Sequence, residues 1–421
     1  MGGEATYIAG TGDGRRGAGS ALRPSRCNCT ALLQRLLTRP SDSRHPTPDT
    51  RPLPGGRWAA PVSHNMPILS AGPKGHRRMR TLFSIFVAVA LTVPASAQSR
   101  VSTSAAQFLT VGTGARGSAL GHAYTAIAQG ADALYWNPAG AARIEDVRNR
   151  GSVFFSHNRW LIDIDYNAFG LVIPVTSAGV VGLSLAQVDY GRMDRRTVDL
   201  PEGTGETFGA ADLVVGLTYA QPLTDLFYIG GTMKYVRQSI YDMSASTMAF
   251  DVGFVLDSNY LNGLKLAASI SNFGGKMQMD GINGRIFADI DPQNSGSNEN
   301  LAARLETGRW DLPLSFKFGL AIPVVQTSNA RLDLLSDAHQ TNDNNLNADL
   351  GARLRFDVSS FSLDLRSGYK DLALGSDVTT HMTYGAGVSV DAMGLRFAID
   401  YAYLPSEFFE AVQVADLRLS F

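Results

Sequence analysis

The sequence of 421 residues contains little cysteine and little charge, and both shortages exclude classes of function. Its two cysteines, Cys27 and Cys29, precede the export signal described below, so the exported part is expected to have no disulfide, zinc–thiolate site or cysteine nucleophile. Charged residues make up 18% of the chain and the net charge is −1, which gives no electrostatic basis for binding nucleic acid. After the export signal no apolar run is long enough for a transmembrane helix.

Glycine, by contrast, is abundant, with 43 residues, and the aromatic fraction is 9%. Many short apolar and aromatic strands joined by glycine-rich turns would give this profile. A mean hydropathy of −0.03 does not exclude a membrane protein, because half of each strand of a membrane barrel faces a polar lumen.

The N-terminal part divides into an extension and an export signal. Residues 1–78 are rich in Arg, Pro, Gly and Ser and cannot bury a core. They are either a disordered extension or an over-long start assignment, and the complete signal that begins at Met79 favours the second. Residues 79–97 form that signal peptide: Arg80 supplies the positive charge, 82–93 the apolar region, and 95–97 an Ala-Ser-Ala cleavage site.

From residue 151 onward the sequence alternates between apolar and polar residues, which predicts strands with one apolar face. The clearest example places Phe316, Phe318 and Leu320 on one face and Ser315 and Lys317 on the other. Fourteen strands are predicted, at 151–158, 163–174, 178–190, 209–221, 226–240, 245–257, 263–273, 312–323, 328–337, 345–356, 361–370, 380–391, 394–404 and 412–421.

A soluble sandwich would also alternate, but three features favour a transmembrane antiparallel β-barrel. The strands are about 10 residues long and even in number, and most connections alternate between short and long. The longest connection is 274–311, and short connections are expected on the periplasmic side with the N-terminus. The chain ends in Phe421, which resembles the terminal signal read by the barrel-insertion machinery of the outer membrane.

The polar faces of these strands carry many charges of both signs. They could form a selective lining or, as we favour, ion pairs that compensate one another inside the barrel. They are Lys234, Asp251, Lys265, Lys317, Arg331, Asp333, Asp349, Arg353, Arg355, Asp364, Arg366, Arg396, Asp400 and Arg418.

No pattern in the sequence indicates catalysis. Gly112, Gly114 and Gly117 have the G-x-G-x-x-G spacing, but no βαβ unit follows, so we interpret them as a tight turn in a packed segment. The histidines His122, His157, His339 and His381 lack metal-ligand spacing, and no nucleophile elbow occurs. The sequence therefore predicts no enzyme, no cofactor and no metal.

The segment 105–142 resembles the N-terminal signature of the PorV/PorQ family, outer-membrane proteins related in fold to the FadL long-chain fatty-acid transporters. The resemblance is strongest in "YWNPAG", at residues 135–140. Together with the terminal Phe421, the matching residues are Gly114, Arg116, Gly121, Asp132, Trp136, Asn137, Pro138 and Gly140.

The resemblance implies a helical or irregular plug at 98–150 inside a barrel at 151–421, with the turn at Asn137 and Pro138 passing the plug to the wall. It also implies a role in type IX protein secretion, with secretion subunits and cargo carrying a sorting domain as partners. In that role the loop 274–311 would be the contact surface, and otherwise it is a solvated loop with no partner. The alternative is a FadL-like passive transporter of hydrophobic molecules. Its pocket could be lined by residues that could equally be plug packing: Phe108, Leu109, Tyr124, Leu134 and Trp136.

Overall fold

The computed structural model describes residues 103–143, 151–176, 179–289, 293, 300–372, 381–406 and 409–421. The extension, the signal peptide, and residues 98–102 and 144–150 of the expected plug lie outside the described residues.

Fourteen long strands form a closed antiparallel barrel within the described part of the chain. The barrel closes because the first strand pairs with the last, from Ser152 opposite Ser420 to Arg159 opposite Gln413. The first seven strands are β1 (Ser152–Arg159), β2 (Asp165–Thr176), β3 (Gly179–Asp194), β4 (Thr207–Pro222), β5 (Phe227–Ile240), β6 (Met243–Asp257) and β7 (Lys265–Gly274). After short strands in the long connection, the other seven are β13 (Ser315–Gln326), β14 (Ala330–Thr341), β15 (Asn347–Val358), β16 (Phe361–Lys370), β17 (His381–Ala392), β18 (Leu395–Leu404) and β19 (Val412–Ser420).

The predicted membrane barrel is thus confirmed, and each of the fourteen predicted strands is present with its ends shifted by at most about four residues. One of the largest extensions is in β3, where a register shift between Asp189 and Arg192 carries the pairing beyond the alternating segment. The connection 274–311 also differs from a plain loop. It contains β8 (Met277–Gln278), β9 (Asp280–Gly281), β10 (Arg285–Ala288), β11 (Leu301–Arg304) and β12 (Arg309–Trp310).

The outward face of the wall is apolar, as a bilayer requires. Phe316, Leu350, Leu365 and Phe397 belong to this face and are all exposed. A continuous apolar surface of this extent would not be stable in water, so it is the lipid-facing surface of the barrel.

None of the helices in the described residues has the length and apolar character needed to cross a membrane.

The two ends of the barrel differ. We call the end that carries Ser152 and Ser420 the terminal end; its connections are short, such as the turn at Met393 and Gly394 between β17 and β18. We call the opposite end, which carries the long connection between β7 and β13, the loop end. At the terminal end Phe421 exchanges two backbone hydrogen bonds with Gly151, so the last residue continues the closing seam.

Residues 103–143 form the described part of a plug inside the barrel. They contain two short helices, α1 (Ala115–Ala119) and α2 (Ala133–Trp136), and the 3-10 turns Gln107–Thr110 and Pro138–Ala142. The plug begins at the loop end, where the Ala105 N–H donates to the Asp311 carbonyl at 2.8 Å. It finishes near the terminal end, where Arg143 Nη2 lies 3.2 Å from Asp257 Oδ1.

The plug backbone rests on glycines of the inner wall. A Cβ atom added to Gly368 would lie 2.0 Å from the backbone nitrogen of Gly121, and one added to Gly253 would lie 2.0 Å from Asn137 Oδ1. Neither position can hold a side chain unless the plug moves away. The inward glycines therefore fix where the plug can sit.

We predict that Gly230→Ala destabilises the barrel and that Gly231→Ala, the next residue on β5, does not. A Cβ on Gly230 would lie 2.5 Å from the Pro138 carbonyl carbon, whereas one on Gly231 meets only the Asp251 carbonyl oxygen at 3.6 Å. The clash should cost about 1–3 kcal/mol, as overpacking does. The urea concentration at the midpoint of unfolding is measured for both variants in detergent, with heat-dependent gel migration used to detect the folded barrel. Equal midpoints for the two would contradict the seating of the plug on Gly230.

Candidate functional site

Trp136, a signature residue, is the centre of a packed cluster within the plug. Its indole N–H donates to the Thr113 carbonyl at 2.8 Å. The rings of His122 and Tyr124 meet it edge-on, with centroids 5.4 and 5.6 Å away. Gly117 leaves room for the indole, because a Cβ there would lie 2.2 Å from Trp136 Cζ2. This third glycine of the G-x-G-x-x-G spacing thus serves packing within the plug.

The Asn137–Pro138 step joins the plug to β6. The side-chain amide of Asn137 donates to the Phe254 carbonyl at 3.1 Å, and its Oδ1 accepts from the Ala139 N–H at 3.1 Å. Pro138 begins the following 3-10 turn, where a missing backbone N–H has no cost. Both residues have structural contacts here rather than contacts to an open cavity.

Arg116 is held by a buried carboxylate of the wall. Asp400, whose side chain is 1% exposed, accepts from Arg116 Nε at 3.0 Å, from Arg366 Nη1 at 2.7 Å and from Arg418 Nη2 at 3.1 Å. Burial acts to lower the pKa of Arg116, but the carboxylate of Asp400 raises it well above its ordinary value. Arg418 also lies 3.5 Å from Asp132, which accepts from the Tyr124 hydroxyl at 2.7 Å. One network therefore ties α1, the rest of the plug and three wall strands together.

The other inward charges largely pair in the way the sequence predicts. Lys234 pairs with Asp251, and Asp333 accepts from both Arg331 and Arg353. Lys317 is different: within the described residues it makes no ion pair, and its ammonium lies 4.8 Å from the centroid of the Trp136 ring. Among the described residues, no carboxylate lies within ion-pair distance of this lysine.

The residues predicted to line an apolar pocket lie mostly in packed clusters. Phe108, Tyr124, Leu134 and Trp136 are each at most 3% exposed, with neighbours from the plug and the wall. Leu109 is half-buried and faces a cavity.

Among the described residues, the cavities between the plug and the wall include three at the loop end. The central cavity, about 200 Å³, is polar and is lined by Lys317, His339, Asp349 and Lys370 among others. The seam cavity, about 330 Å³, lies beside β1 and β19, and its apolar walls include Trp160, Leu161, Leu404 and Val412. The arm cavity, about 400 Å³, lies beneath the long connection and is lined by Met277, Met279 and Trp310.

The plug segment 103–112, which we call the strap, borders all three cavities. It is fastened to the connection between β14 and β15, where Asp343 accepts hydrogen bonds from Ser104 Oγ and Gln107 Nε2. Burial acts to raise the pKa of Asp343, but these hydrogen bonds lower it below its ordinary value. Asp343 is therefore ionised at neutral pH and holds the strap as a charged acceptor.

The central and seam cavities meet at Thr110, His122 and Lys370, which line both. Burial lowers the pKa of His122 well below its ordinary value, and Lys370 and Lys317 lower it further. The ring is therefore neutral at neutral pH, and the junction carries its positive charge on lysine alone.

Sequence reasoning did not identify Trp160, Leu404 or Asp343 as site residues. Each follows or ends a strand at the loop end, and their neighbourhood depends on which strands meet across the lumen. Trp160, directly after β1, carried the only signal in the sequence: an isolated aromatic residue at the end of an alternating segment.

Comparison with solved structures returns barrels of similar extent at low identity. The CymD monoaromatic hydrocarbon channel is 10% identical over 74% of this chain and 97% of its own, with a TM-score of 0.47. The toluene transporter TodX from Pseudomonas putida is 12% identical over 73% and 97%, with a TM-score of 0.46. A FadL homologue from Pseudomonas aeruginosa is 11% identical over 73% and 98%, with a TM-score of 0.45. No family model and no curated protein matches the sequence.

We predict that Asp400→Asn strongly destabilises the barrel. The substitution leaves three arginines around a neutral amide, and breaking a buried ion pair from one side costs about 3–5 kcal/mol. Asp280→Asn, in an exposed pair whose oxygen lies 2.7 Å from Arg304 Nη1, should leave stability unchanged. Urea unfolding in detergent compares the two, and wild-type stability of the Asp400 variant would contradict the anchoring role.

Proposed function

We propose that this chain is a plugged outer-membrane channel that admits small amphipathic molecules with an acidic head at its loop end. The proposal rests on Lys317, which makes no ion pair among the described residues and lines the central cavity beside the partly apolar seam cavity. The export signal and the apolar outer surface support an outer-membrane location with both barrel termini in the periplasm. The proposed function is not enzymatic and uses no cofactor.

The two cavities offer the two environments that an amphipathic molecule needs. Lys317 can donate to an acidic head, and its position over Trp136 holds the ammonium in the lumen. The seam cavity provides apolar contact at Trp160, Leu161 and Leu404. The strap borders both cavities, so a bound molecule can move toward the terminal end only if the strap shifts. The hydrogen bonds from Ser104 and Gln107 to Asp343 oppose this shift.

The first test removes the charge of Lys317. Loss of a hydrogen bond to a charged group is worth about 1.5–3 kcal/mol, so Lys317→Met should weaken binding of a dodecanoate probe by about 10–100-fold. Binding of dodecane should be unchanged. Lys276→Met, which removes an exposed lysine of the long connection paired with Asp311, is the control and should behave as wild type. Tryptophan fluorescence titration in detergent measures binding, and equal loss for both probes would contradict a head-group role for Lys317.

The second test fills the junction between the two cavities. Thr110→Trp places an indole where the central and seam cavities meet. Because the indole occupies the space through which the probe would pass, uptake of labelled dodecanoate into proteoliposomes should fall by about tenfold, which corresponds to about 1.4 kcal/mol. Val198→Trp adds the same group at a fully exposed loop position and is the control. Unchanged uptake by the Thr110 variant would show that molecules do not pass this junction.

A second function, handling of secreted proteins in a type IX pathway, is favoured by the exposed hairpin of β10 and β11. Phe287, on β10, is 76% exposed, and Leu301 and Leu305 are also exposed. Solvent-exposed apolar groups on a hairpin of the long connection are suited to contact another protein. In this role the partners would be secretion subunits or cargo with a sorting domain.

Photo-crosslinking tests this second function. A photoreactive residue at position 287 should capture sorting-domain cargo or secretion subunits in native envelopes. The same residue at Tyr260, an exposed aromatic position at the terminal end, should not. Recovery of no such protein from position 287 would exclude the secretion role for this hairpin.

A further inference from the structure

Three potential metal ligands meet at the loop end of the lumen. His339 lies on β14, Asp349 on β15, and Asp371 directly follows β16. His339 Nδ1 is 3.1 Å from Asp349 Oδ2, and His339 Nε2 is 3.6 Å from Asp371 Oδ1. One ligand atom from each of the three residues lies within 4.8 Å of the others.

The site is partly enclosed and open on one side. The Asp349 side chain is 2% exposed, that of His339 19% and that of Asp371 30%. All three line the central cavity, so an ion held between them would retain a coordination position facing that cavity. Asp349 is further fixed because its Oδ1 accepts the Asp371 backbone N–H at 2.9 Å.

The surrounding charges decide which kind of ion could bind. Lys317 is the register partner of His339, the Lys370 ammonium lies 3.7 Å from Asp371 Oδ2, and His122 and Lys234 line the same cavity. The neighbouring lysines oppose any divalent cation, so the ligands must compensate. Ca²⁺ requires six or more oxygen ligands, which these three residues do not supply. An ion of zinc type needs only four ligands and bonds strongly to imidazole nitrogen, and the two carboxylates neutralise its double charge.

We propose that His339, Asp349 and Asp371 form a binding site for a divalent transition-metal ion of zinc type. The ligand atoms of tetrahedral zinc lie roughly 3.4 Å apart for bonds near 2.1 Å, so the widest separation in the cluster must shorten. Asp371, the most exposed of the three, is the residue placed to move. The fourth ligand is water or an anion from the central cavity, which Lys317 also lines.

The test uses the full chain, folded in detergent and freed of metal with a chelator. Equilibrium dialysis against zinc chloride with elemental analysis measures the bound ion, and thermal unfolding measures its effect on stability. The chain should bind one more zinc ion than His339→Asn binds, and calcium chloride should give no such difference. Removing an outer partner of a metal ligand already costs about 10–100-fold in affinity, so Asp371→Asn should lose at least tenfold.

His157→Asn provides the matched control. His157 Nε2 lies 4.0 Å from Asp165 Oδ1, a histidine–aspartate pair at the same end of the barrel for which the described residues supply no third ligand. It should bind zinc as wild type does. Heat-dependent gel migration establishes that each variant is folded, and the more exposed Asp371→Asn decides the question if His339→Asn does not fold. Equal zinc binding by wild type and Asp371→Asn, or a loss confined to His157→Asn, would overturn the site.

Discussion

The plug comes closest to the inner face of the wall at glycines such as Gly368, Gly253 and Gly230. This close approach determines how the lumen is filled. At Gly368 the plug backbone at Gly121 occupies the place of a side chain, and at Gly253 the Asn137 amide does so. A barrel of this size would otherwise enclose a wide lumen. Because each contact joins backbone to backbone or to a fixed side chain, the part of the plug seated on these glycines is held in one position.

Charge fixes the plug in that position. The lumen holds many ionisable groups away from bulk water, and such groups are stable only when paired. Asp400 meets this requirement for three arginines at once, one from the plug and two from the wall. The same residues that hold the plug therefore leave few groups available to bind anything else, and the unpaired Lys317 stands out for that reason.

The available space lies at the loop end, along the strap. There the seating on glycine gives way to hydrogen bonds such as those to Asp343, which are weaker and partly exposed. A segment held in this way can open at a lower free energy than the packed centre around Trp136. Both ligands proposed above, an acidic head at Lys317 and a metal ion at His339, would bind at this less constrained end of the barrel.

The sequence by itself determined the wall. Alternation at residues 312–323 or 361–370 reports which side chains face lipid, and that depends only on the two-residue period of a strand. It also indicated the plug, through glycines and the residues 135–140. It did not determine which inward groups meet. His339 and Asp349 lie on separate strands and Asp371 follows a third, and among the described residues the absence of an ion pair at Lys317 depends on carboxylates that pair elsewhere. Only the tertiary structure decided these contacts, because register and the path of the plug across the lumen are long-range properties that no local pattern carries.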